Sequence, residues 1–352
     1  MKIELTKNLK AKPDFNDLGF GKYFSDHMYM VNYTNGKGWN DERIVPYQNF
    51  AMNPATLVLH YSQTIFEGMK AYKDKENNIR LFRPTANFAR LNDSAARCCI
   101  PKIDEKAALQ GLIELLKIEK DWVPNLAGTS LYIRPTIIAT DAVLGVRSSN
   151  TYLFYIILSP VGAYYKTGFA PAKILIEDFY TRASYGGTGE VKMGANYAIS
   201  LKAGEKAKAQ NFDQVLWLDG KDKKYIEEVG AMNIFFIIDN EVVTPKLHGS
   251  ILPGITRDSV IRLLNDFSYK VTERQISVDE LYDAIKNKKL NESFGTGTAA
   301  VISPVGWFKY KDKEFAVNDG KIGKVSKKLY ETLTGIQYGD VLDKFNWSVV
   351  IK

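Results

Sequence analysis

Apolar residues along this 352-residue chain change period repeatedly, between the alternation of strands and the three-to-four spacing of helices. In "KAYKDKENNIRLFRP" (70–84) two strand-like runs flank the polar stretch Asp74–Asn78, which predicts a hairpin. From Pro84, Phe88, Leu91, Ala95 and Cys98 recur at helical spacing. A second helix is predicted over 104–120, with acidic residues in its first turn and basic ones in its last, as the helix dipole favours. Strands are predicted over 130–140 and 151–160. The loop between them, "DAVLGVRSSN", carries Val143, Leu144 and Val146, and apolar residues in an unpaired loop point to a partner surface.

The segment "VGAYYKTGFAPA" (161–172) holds two glycines and a proline between strand-like runs and reads as a linker. It divides a smaller N-terminal α+β domain, 1–160, from a larger C-terminal domain, 173–352. Beyond it come strand "KILIEDF", a glycine loop, a helix over roughly 196–210, strand "QVLWLD", and the pair "NIFFIID" and "EVVTP". Helices follow near 256–267 and 278–287, then "FGTGTAAVISPV" and a last helix near 326–335. Strands and helices mix without strict βαβ alternation, so the class is α+β.

Composition narrows the function classes. Apolar residues are 45% and charged residues 25%, the range of an ordinary soluble globular protein. The net charge of +7 raises a nucleic-acid reading, but the lysines are dispersed and no basic block is interleaved with aromatics. An enzyme for anionic substrates fits better, whereas a nucleic-acid binder would be colourless and bind in a salt-sensitive way. Cys98 and Cys99 are the only cysteines and are adjacent, so no disulfide framework or metal site is expected. The start "MKIELTKNLK" lacks a signal-peptide run, and no apolar stretch is long enough to span a bilayer. A cytoplasmic protein, away from membranes, is the expectation.

Four short stretches could carry chemistry. In "GEVKMGANYAIS", Lys192 sits between Val191 and Met193, with glycines at 186, 187, 189 and 194. It is not a phosphate-binding P-loop, because no glycine directly precedes Lys192 and Met193 stands where Ser or Thr is needed. In "ILPGITRDSVIRLL", Thr256 is the expected N-cap of a helix whose first amides suit an anion. "FGTGTAA" offers the hydroxyls of Thr296 and Thr298 in a tight turn. "EEVGAMNIFF" puts Glu227 and Glu228 before a buried-looking strand. Singly, each also reads as an ordinary turn, helix cap or strand end.

Their order, with "HYSQTIFEGMKAYK", "IRLFRPTANFARL", "LYIRP", "SPVGAYY" and "IQYGD", resembles the branched-chain amino acid aminotransferases. These are fold type IV enzymes of pyridoxal 5′-phosphate (PLP), two-domain α+β proteins with the cofactor at the domain interface. The resemblance implies that Lys192 carries PLP as a Schiff base. A lysine in that role must shed its proton, which burial and nearby positive charge favour. It implies Glu228 at the pyridine nitrogen, Tyr197 at the ring phenol, and Arg90, Ile255, Thr256 and Thr298 at the phosphate. Strand alternation then turns Glu227 the other way, toward solvent. For the substrate it implies an apolar pocket of Phe20, Tyr61, Phe66 and Tyr164. Tyr132 and the backbone of Ala231 and Ala299 would meet the α-carboxylate, and Arg134 the far carboxylate of glutamate or 2-oxoglutarate. Leu144 and Val146, in the 141–150 loop, would cover the neighbouring site of a homodimer.

Some positions depart from the family's pattern. Ala195 stands where many relatives have glycine, Ala231 where some have threonine, and Ala300 and Ser303 where animal enzymes have a Cys-x-x-Cys. The expected reaction is transamination of leucine, isoleucine and valine with 2-oxoglutarate, in amino-acid biosynthesis. The alternatives are a D-amino acid aminotransferase or an aminodeoxychorismate lyase of the same fold. "LYIRP" and "SPVGAYY" favour the branched-chain type.

Overall fold

A computed structural model describes residues 1–162 and 169–352. In chain order the elements begin with β1 (Lys2–Ile3), β2 (His27–Thr34), β3 (Gly38–Pro46), α1 (Leu57–Tyr61), β4 (Thr64–Phe66), β5 (Met69–Lys73), β6 (Ile79–Phe82), α2 (Pro84–Arg97), α3 (Glu105–Ile118), β7 (Ser130–Ala139) and β8 (Thr151–Val161). There follow β9 (Ala172–Glu177), α4 (Ala195–Ala198), α5 (Leu201–Ala209), β10 (Gln214–Leu218), β11 (Ile226–Val229), β12 (Met232–Ile238) and β13 (Glu241–Thr244). The chain ends with α6 (Ile255–Asp266), β14 (Lys270–Glu273), α7 (Val278–Lys286), β15 (Leu290–Gly297), β16 (Val301–Tyr310), β17 (Lys313–Ala316), α8 (Lys324–Tyr338) and β18 (Ser348–Ile351). These elements form two compact units, one of residues 1–162, 192–194 and 335–352, the other of 169–191 and 195–334.

The first unit is built on a sheet ordered β1-β3-β2-β8-β7-β5-β6-β18, with β4 added on β7. Its spine is the long antiparallel pair of β7 and β8, in register from Ser130 opposite Val161 to Ala139 opposite Tyr152. Side chains alternate across a strand, so Ile133 and Ile137 of β7 face one way and Tyr132, Arg134 and Ile138 the other. On the first face, Ile133, Ile137 and Ile156 pack with Phe88 and Leu91 of α2 and Leu112 and Leu115 of α3. Pro84 opens α2, where its missing N–H costs nothing. Asp104 caps α3 by accepting from the Lys106 and Ala107 amides.

The second unit orders its strands β11-β10-β9-β16-β15-β12-β13-β14, with β17 on β16. Because β11 pairs with β12 as well as with β10, six of these strands close into a ring. The chain pairs parallel at β9 with β10 and β16, and at β13 with β14. Ile174, Leu216, Ile234, Phe236 and Phe308 fill one core, closed by Leu281 of α7.

Two expectations change in detail. The helix expected over 196–210 is two, α4 and α5, separated at Ile199 and Ser200. The residue before α6 is Gly254, in an extended conformation, so Thr256 lies inside the first turn and does not cap it. Of the linker expected at 161–172, residues 163–168 lie outside the described residues, while Val161 ends β8 and Ala172 begins β9. Among the described residues no helix is long and apolar enough to cross a membrane.

Gly111 of α3 shows how tightly the first unit is packed. A Cβ there would overlap the Tyr29 ring, which is fully buried and donates its hydroxyl to Glu42 Oε1 at 2.8 Å. Gly111→Ala therefore sets a helix-propensity gain of about 1 kcal/mol against overpacking of about 1–3 kcal/mol. The variant should unfold at lower urea concentration than the wild type; a higher midpoint would mean that the Tyr29 contact yields freely.

Candidate active site

Lys192 is positioned by its backbone. Its carbonyl accepts from the Phe66 N–H at 3.0 Å, its N–H donates to Ser94 Oγ at 3.0 Å, and Met193 forms a bridge with Ile65. The Gly194 N–H reaches the Thr64 carbonyl at 3.3 Å. Residues 192–194 thus behave as a short extra strand against β4.

The Phe66 ring beside this amine shares one face of the sheet with side chains of β5, β7 and β8. Phe66 lies opposite Thr136 of β7, and Lys70 of β5 lies opposite Tyr132, which lies opposite Ser159. Lys192 Nζ is 4.8 Å from the Phe66 ring centre, and the Arg134 guanidinium carbon is 4.5 Å from the same ring. Arg134 also lies 5.2 Å from the Tyr132 ring and donates from Nη2 to the Tyr132 hydroxyl at 3.1 Å. Its buried Nε has no hydrogen-bond partner among the described residues. Such a donor suits a carboxylate that arrives with a ligand. Phe20 packs edge-on against Tyr132, with ring centres 4.9 Å apart.

Immediately after β4 the chain turns Glu67 onto the α2 side. Its two oxygens accept from Arg90 Nε at 2.7 Å and Arg90 Nη2 at 2.9 Å, a bidentate pair. Asn87 Nδ2 and the Gly68 N–H also bond to Glu67 Oε2, at 2.8 and 3.1 Å. Burial alone would raise this carboxyl, but Arg90, Lys192 and Asn87 together hold it below the usual carboxylate range. Arg90 is therefore held by Glu67, and is not one of the solvated arginines that helix surfaces usually carry.

Tyr61 donates its hydroxyl to the Leu144 carbonyl, which ties it to the 141–150 loop. Asp141 organises that loop by accepting from the Asn150 N–H, the Thr151 hydroxyl and Arg147. Val143 packs back against its own core, which corrects the expectation that all three apolar residues point outward. Leu144 is 60% exposed and Val146 83% exposed.

In the second unit, Glu228, Tyr197 and Ala231 line one open cleft, with Arg182, Asn196 and Leu252. Glu228 Oε1 accepts from the Leu252 N–H at 2.9 Å and from Asn233 Nδ2 at 3.3 Å, while Oε2 lies 3.0 Å from Arg182 Nε. Asn233 in turn crowds Gly254, where any Cβ would overlap its side-chain oxygen. The acid and the N-terminus of α6, with the Ile255 and Thr256 amides, are thus joined through one asparagine. Thr298 and Ala299 lie half-buried in the turn between β15 and β16. Val301, just after that turn, holds a φ of +62°, a strained conformation for a β-branched side chain. A carboxylate in a cleft beside a phenol, linked to helix amides that favour an anion, suits a flat phosphorylated ring such as PLP.

Glu227 contradicts its expectation. It is 2% exposed and accepts from the Ser250 hydroxyl, with His248 Nε2 at 3.8 Å. β11 pairs on both edges, and neither of its faces is open to solvent. Burial pushes the Glu227 carboxyl up, against the pull of Ser250, Arg182 and His248. The glycine loop also serves the protein itself. A Cβ at Gly189 would overlap the Ser250 carbonyl, and Asn196 pins the loop by donating to the Thr188 and Val191 carbonyls. Tyr164 lies outside the described residues. Glu67, Lys70, Arg182 and Asn233 were not singled out in the sequence. Glu67 and Lys70 stand in the quoted "FEGMK", but a charged residue in a strand gives no sign of what it meets across the fold.

Known proteins share both the sequence and the fold of this chain. Residues 64–306 match the family model of the class IV amino-transferases. The branched-chain-amino-acid aminotransferase 2 of Bacillus subtilis (strain 168) is 55% identical over 351 residues, covering 100% of this chain and 97% of that protein. The crystal structure of the Escherichia coli branched-chain amino acid aminotransferase superposes with a TM-score of 0.77 at 26% identity, covering 92% of this chain and 99% of that one. The Thermobaculum terrenum branched-chain amino acid aminotransferase in its PLP form has the same fold, with a TM-score of 0.74 at 21% identity, over 92% of this chain and 98% of that one.

Lys70 yields a prediction about stability. Burial pushes its ammonium down to about 8 from an ordinary 10.5. Below that folded value the full cost of the buried charge is present. Between the folded and unfolded values the unfolded chain binds more protons, so stability rises with pH. Lys70→Met should therefore stabilise the protein near neutral pH, and its advantage should shrink by about 2 kcal/mol between about pH 7 and pH 9.5. Urea unfolding of both proteins at the two pH values checks this; an advantage that stays constant contradicts it.

Proposed function

The chain belongs to the branched-chain-amino-acid aminotransferase family of the class IV amino-transferases, and on that premise we propose that it moves the amine of L-leucine, L-isoleucine or L-valine to 2-oxoglutarate, with PLP as resident cofactor. Bound PLP supplies an aldehyde that takes up an amine and a ring that accepts electrons from the substrate's Cα. Lys192, Tyr197, Glu228, Arg90, Thr298 and the Ile255 and Thr256 amides would hold it.

The observation that carries this reading is the fixed carboxylate of Glu228. Its Oε1 is held by the Leu252 amide and Asn233, and Asn233 also packs against the start of α6. With the cofactor bound, Glu228 would keep a proton on the ring nitrogen and the α6 amides would meet the phosphate. Lys192 Nζ takes the proton from the donor's Cα. Arg90 would meet the phosphate, with its orientation set by Glu67. Tyr132 and the backbone of Ala231 and Ala299 orient the α-carboxylate, and Phe20, Tyr61, Phe66 and Tyr164 exclude water from an aliphatic side chain. Arg134, with its unpartnered Nε, pairs with the far carboxylate of glutamate or 2-oxoglutarate. The two free cysteines suit a cytoplasmic setting.

The absorption spectrum tests the reading. Purified protein should show a visible cofactor band that changes on adding L-leucine and returns on adding 2-oxoglutarate. A colourless protein that binds no PLP would overturn it, and a preference for D-alanine over L-leucine would favour the D-amino acid enzyme. Lys192→Ala should abolish turnover, and borohydride should no longer fix the cofactor to the chain. Fixation that persists in the variant would assign the role to another lysine.

We further place the site in a homodimer, with Leu144 and Val146 covering the neighbouring subunit's pocket. Their exposure of 60% and 83% supports a partner surface there. Lys192→Ala subunits and Leu144→Asp, Val146→Asp subunits should each be impaired alone. Mixed, they should regain activity, because the lysine of one chain is then covered by the intact loop of the other. Hybrids that form without regaining activity would exclude the shared site.

A further inference from the structure

Arg182 stands out among the residues around Glu228. It follows "DFYT" after β9, in a turn that periodicity leaves unmarked, and is 8% exposed. Its Nε lies 3.0 Å from Glu228 Oε2, although the N–H is not aimed along that line, so the contact is an ion pair more than a straight hydrogen bond. Its Nη2 donates to the Ser250 carbonyl and, at 3.3 Å, to the Gly189 carbonyl. A guanidinium buried to this degree is strongly held in place when its fork meets two carbonyls and a carboxylate. Arg182 and Glu228 both line the cleft that Tyr197 borders.

The two oxygens of Glu228 therefore differ. Oε1 is bound by an amide and by Asn233, both neutral donors, whereas Oε2 meets a full positive charge. Glu227, the neighbouring acid, shows what burial does when hydrogen bonding and charge are weaker, because its carboxyl is pushed up. A buried carboxylate stays ionised only if an opposite charge or strong donors compensate for lost hydration. Without Arg182, Glu228 would tend toward the neutral acid. A neutral acid can share a proton with a ring nitrogen but cannot hold a positive charge on it.

We propose that Arg182 is a positioning residue for Glu228: it turns the carboxylate into the cleft and keeps it ionised, so that the ring nitrogen of the cofactor carries a proton. This rests on the PLP reading above. Arg182 acts through Glu228 and its own contact with the substrate is not required. The guanidinium also ties Glu228 to the Gly189 carbonyl, so the glycine loop and the acid are placed by the same side chain.

A mutant cycle on the reconstituted protein tests the proposal, with Arg182→Lys, Arg182→Gln, Glu228→Gln and the double variant Arg182→Gln/Glu228→Gln. Apo proteins are mixed with PLP, and three quantities are read: the dissociation constant for PLP, the position of the visible band, and the rate of the leucine half-reaction. Arg182→Gln should shift the band as Glu228→Gln does and slow the half-reaction tenfold to a hundredfold, on the order of the coupling seen between contacting residues. The KM for leucine should change far less than kcat. Arg182→Lys keeps the charge and should restore most of the rate. In the Glu228→Gln background, Arg182→Gln should add little further loss. An unshifted band in Arg182→Gln with full additivity of the two losses would overturn the proposal, as would failure of lysine to rescue while apo-protein melting is normal. If Arg182→Gln does not fold, Arg182→Lys decides alone: a wild-type band and rate support a charge role, and a rate as low as that of Glu228→Gln overturns it. A wild-type protein that gains no visible band with PLP would instead remove the cofactor reading itself, and this proposal with it.

Discussion

One three-residue strand, β4, fixes most of the chemistry of the first unit. On one edge it pairs with β7, with Ile65 opposite Ile137. On the other it holds residues 192–194 through the bonds from Phe66 to Lys192 and from Gly194 to Thr64. A lysine side chain is a flexible four-carbon stem, so its reach is defined only if its Cα is. Backbone pairing supplies that definition. The same strand presents Phe66 beneath the amine, and the residue after it, Glu67, crosses to the α2 side and orients Arg90. Lys192, Phe66 and Arg90 are therefore placed relative to one another by short runs of chain and a handful of backbone bonds. Ile65, fully buried between them, keeps the strand from sliding, since a slip of one residue would turn Phe66 into the core.

The second unit reaches the same rigidity by closure. Glu228 lies opposite Asn233, which lies opposite Thr296, along a row that crosses β11, β12 and β15. An isolated strand end could swing. Here β11 is bonded on both edges and all four of its residues are buried, so each acid needs a partner. Glu227 finds Ser250 and Glu228 finds Leu252, Asn233 and Arg182. The segment between β13 and α6 supplies two of these four partners, Ser250 and Leu252. Gly254 completes it, because its absent side chain lets Asn233 come close.

The fold was largely legible because its signals are local. Pro84, the period of Phe88, Leu91 and Ala95, and the acidic start at Asp104 place α2 and α3 within a residue or two. Turn residues marked the hairpin of β5 and β6. The roles proposed for Lys192 and Glu228 rest on the order of motifs, not on any one of them. What was not legible is long-range pairing. Glu227 and Glu228 are chemically the same residue in adjacent positions, and alternation correctly turns them apart, but it says nothing of whether the far face is water or protein. The ring closure by β11 decides that, through a pairing that no local period encodes. Val143 fails for the same reason: the loop is polar enough to be exposed, yet Asp141 folds its base so that one of its three apolar residues returns to the core.

The proposed reaction makes a demand that the Phe66 face is suited to meet. One pocket must accept an aliphatic side chain in one half of the cycle and a carboxylate in the other. A bare arginine in an apolar pocket would favour the acid, and a fully apolar pocket would reject it. In the proposed reaction Arg134 would resolve the conflict by geometry, because a guanidinium is apolar in its faces and polar only at its edge. The Phe66 and Tyr132 ring centres lie 4.5 and 5.2 Å from its guanidinium carbon. Its edge is partly satisfied, through Nη2 on the Tyr132 hydroxyl, and partly unsatisfied, at Nε. An aliphatic group can lie against the same rings without leaving a whole charge unsolvated. A carboxylate can take the edge donor and gain a charge-assisted bond. The cost of the unsatisfied Nε, of order 1–3 kcal/mol for a buried donor, falls on the state without the acid.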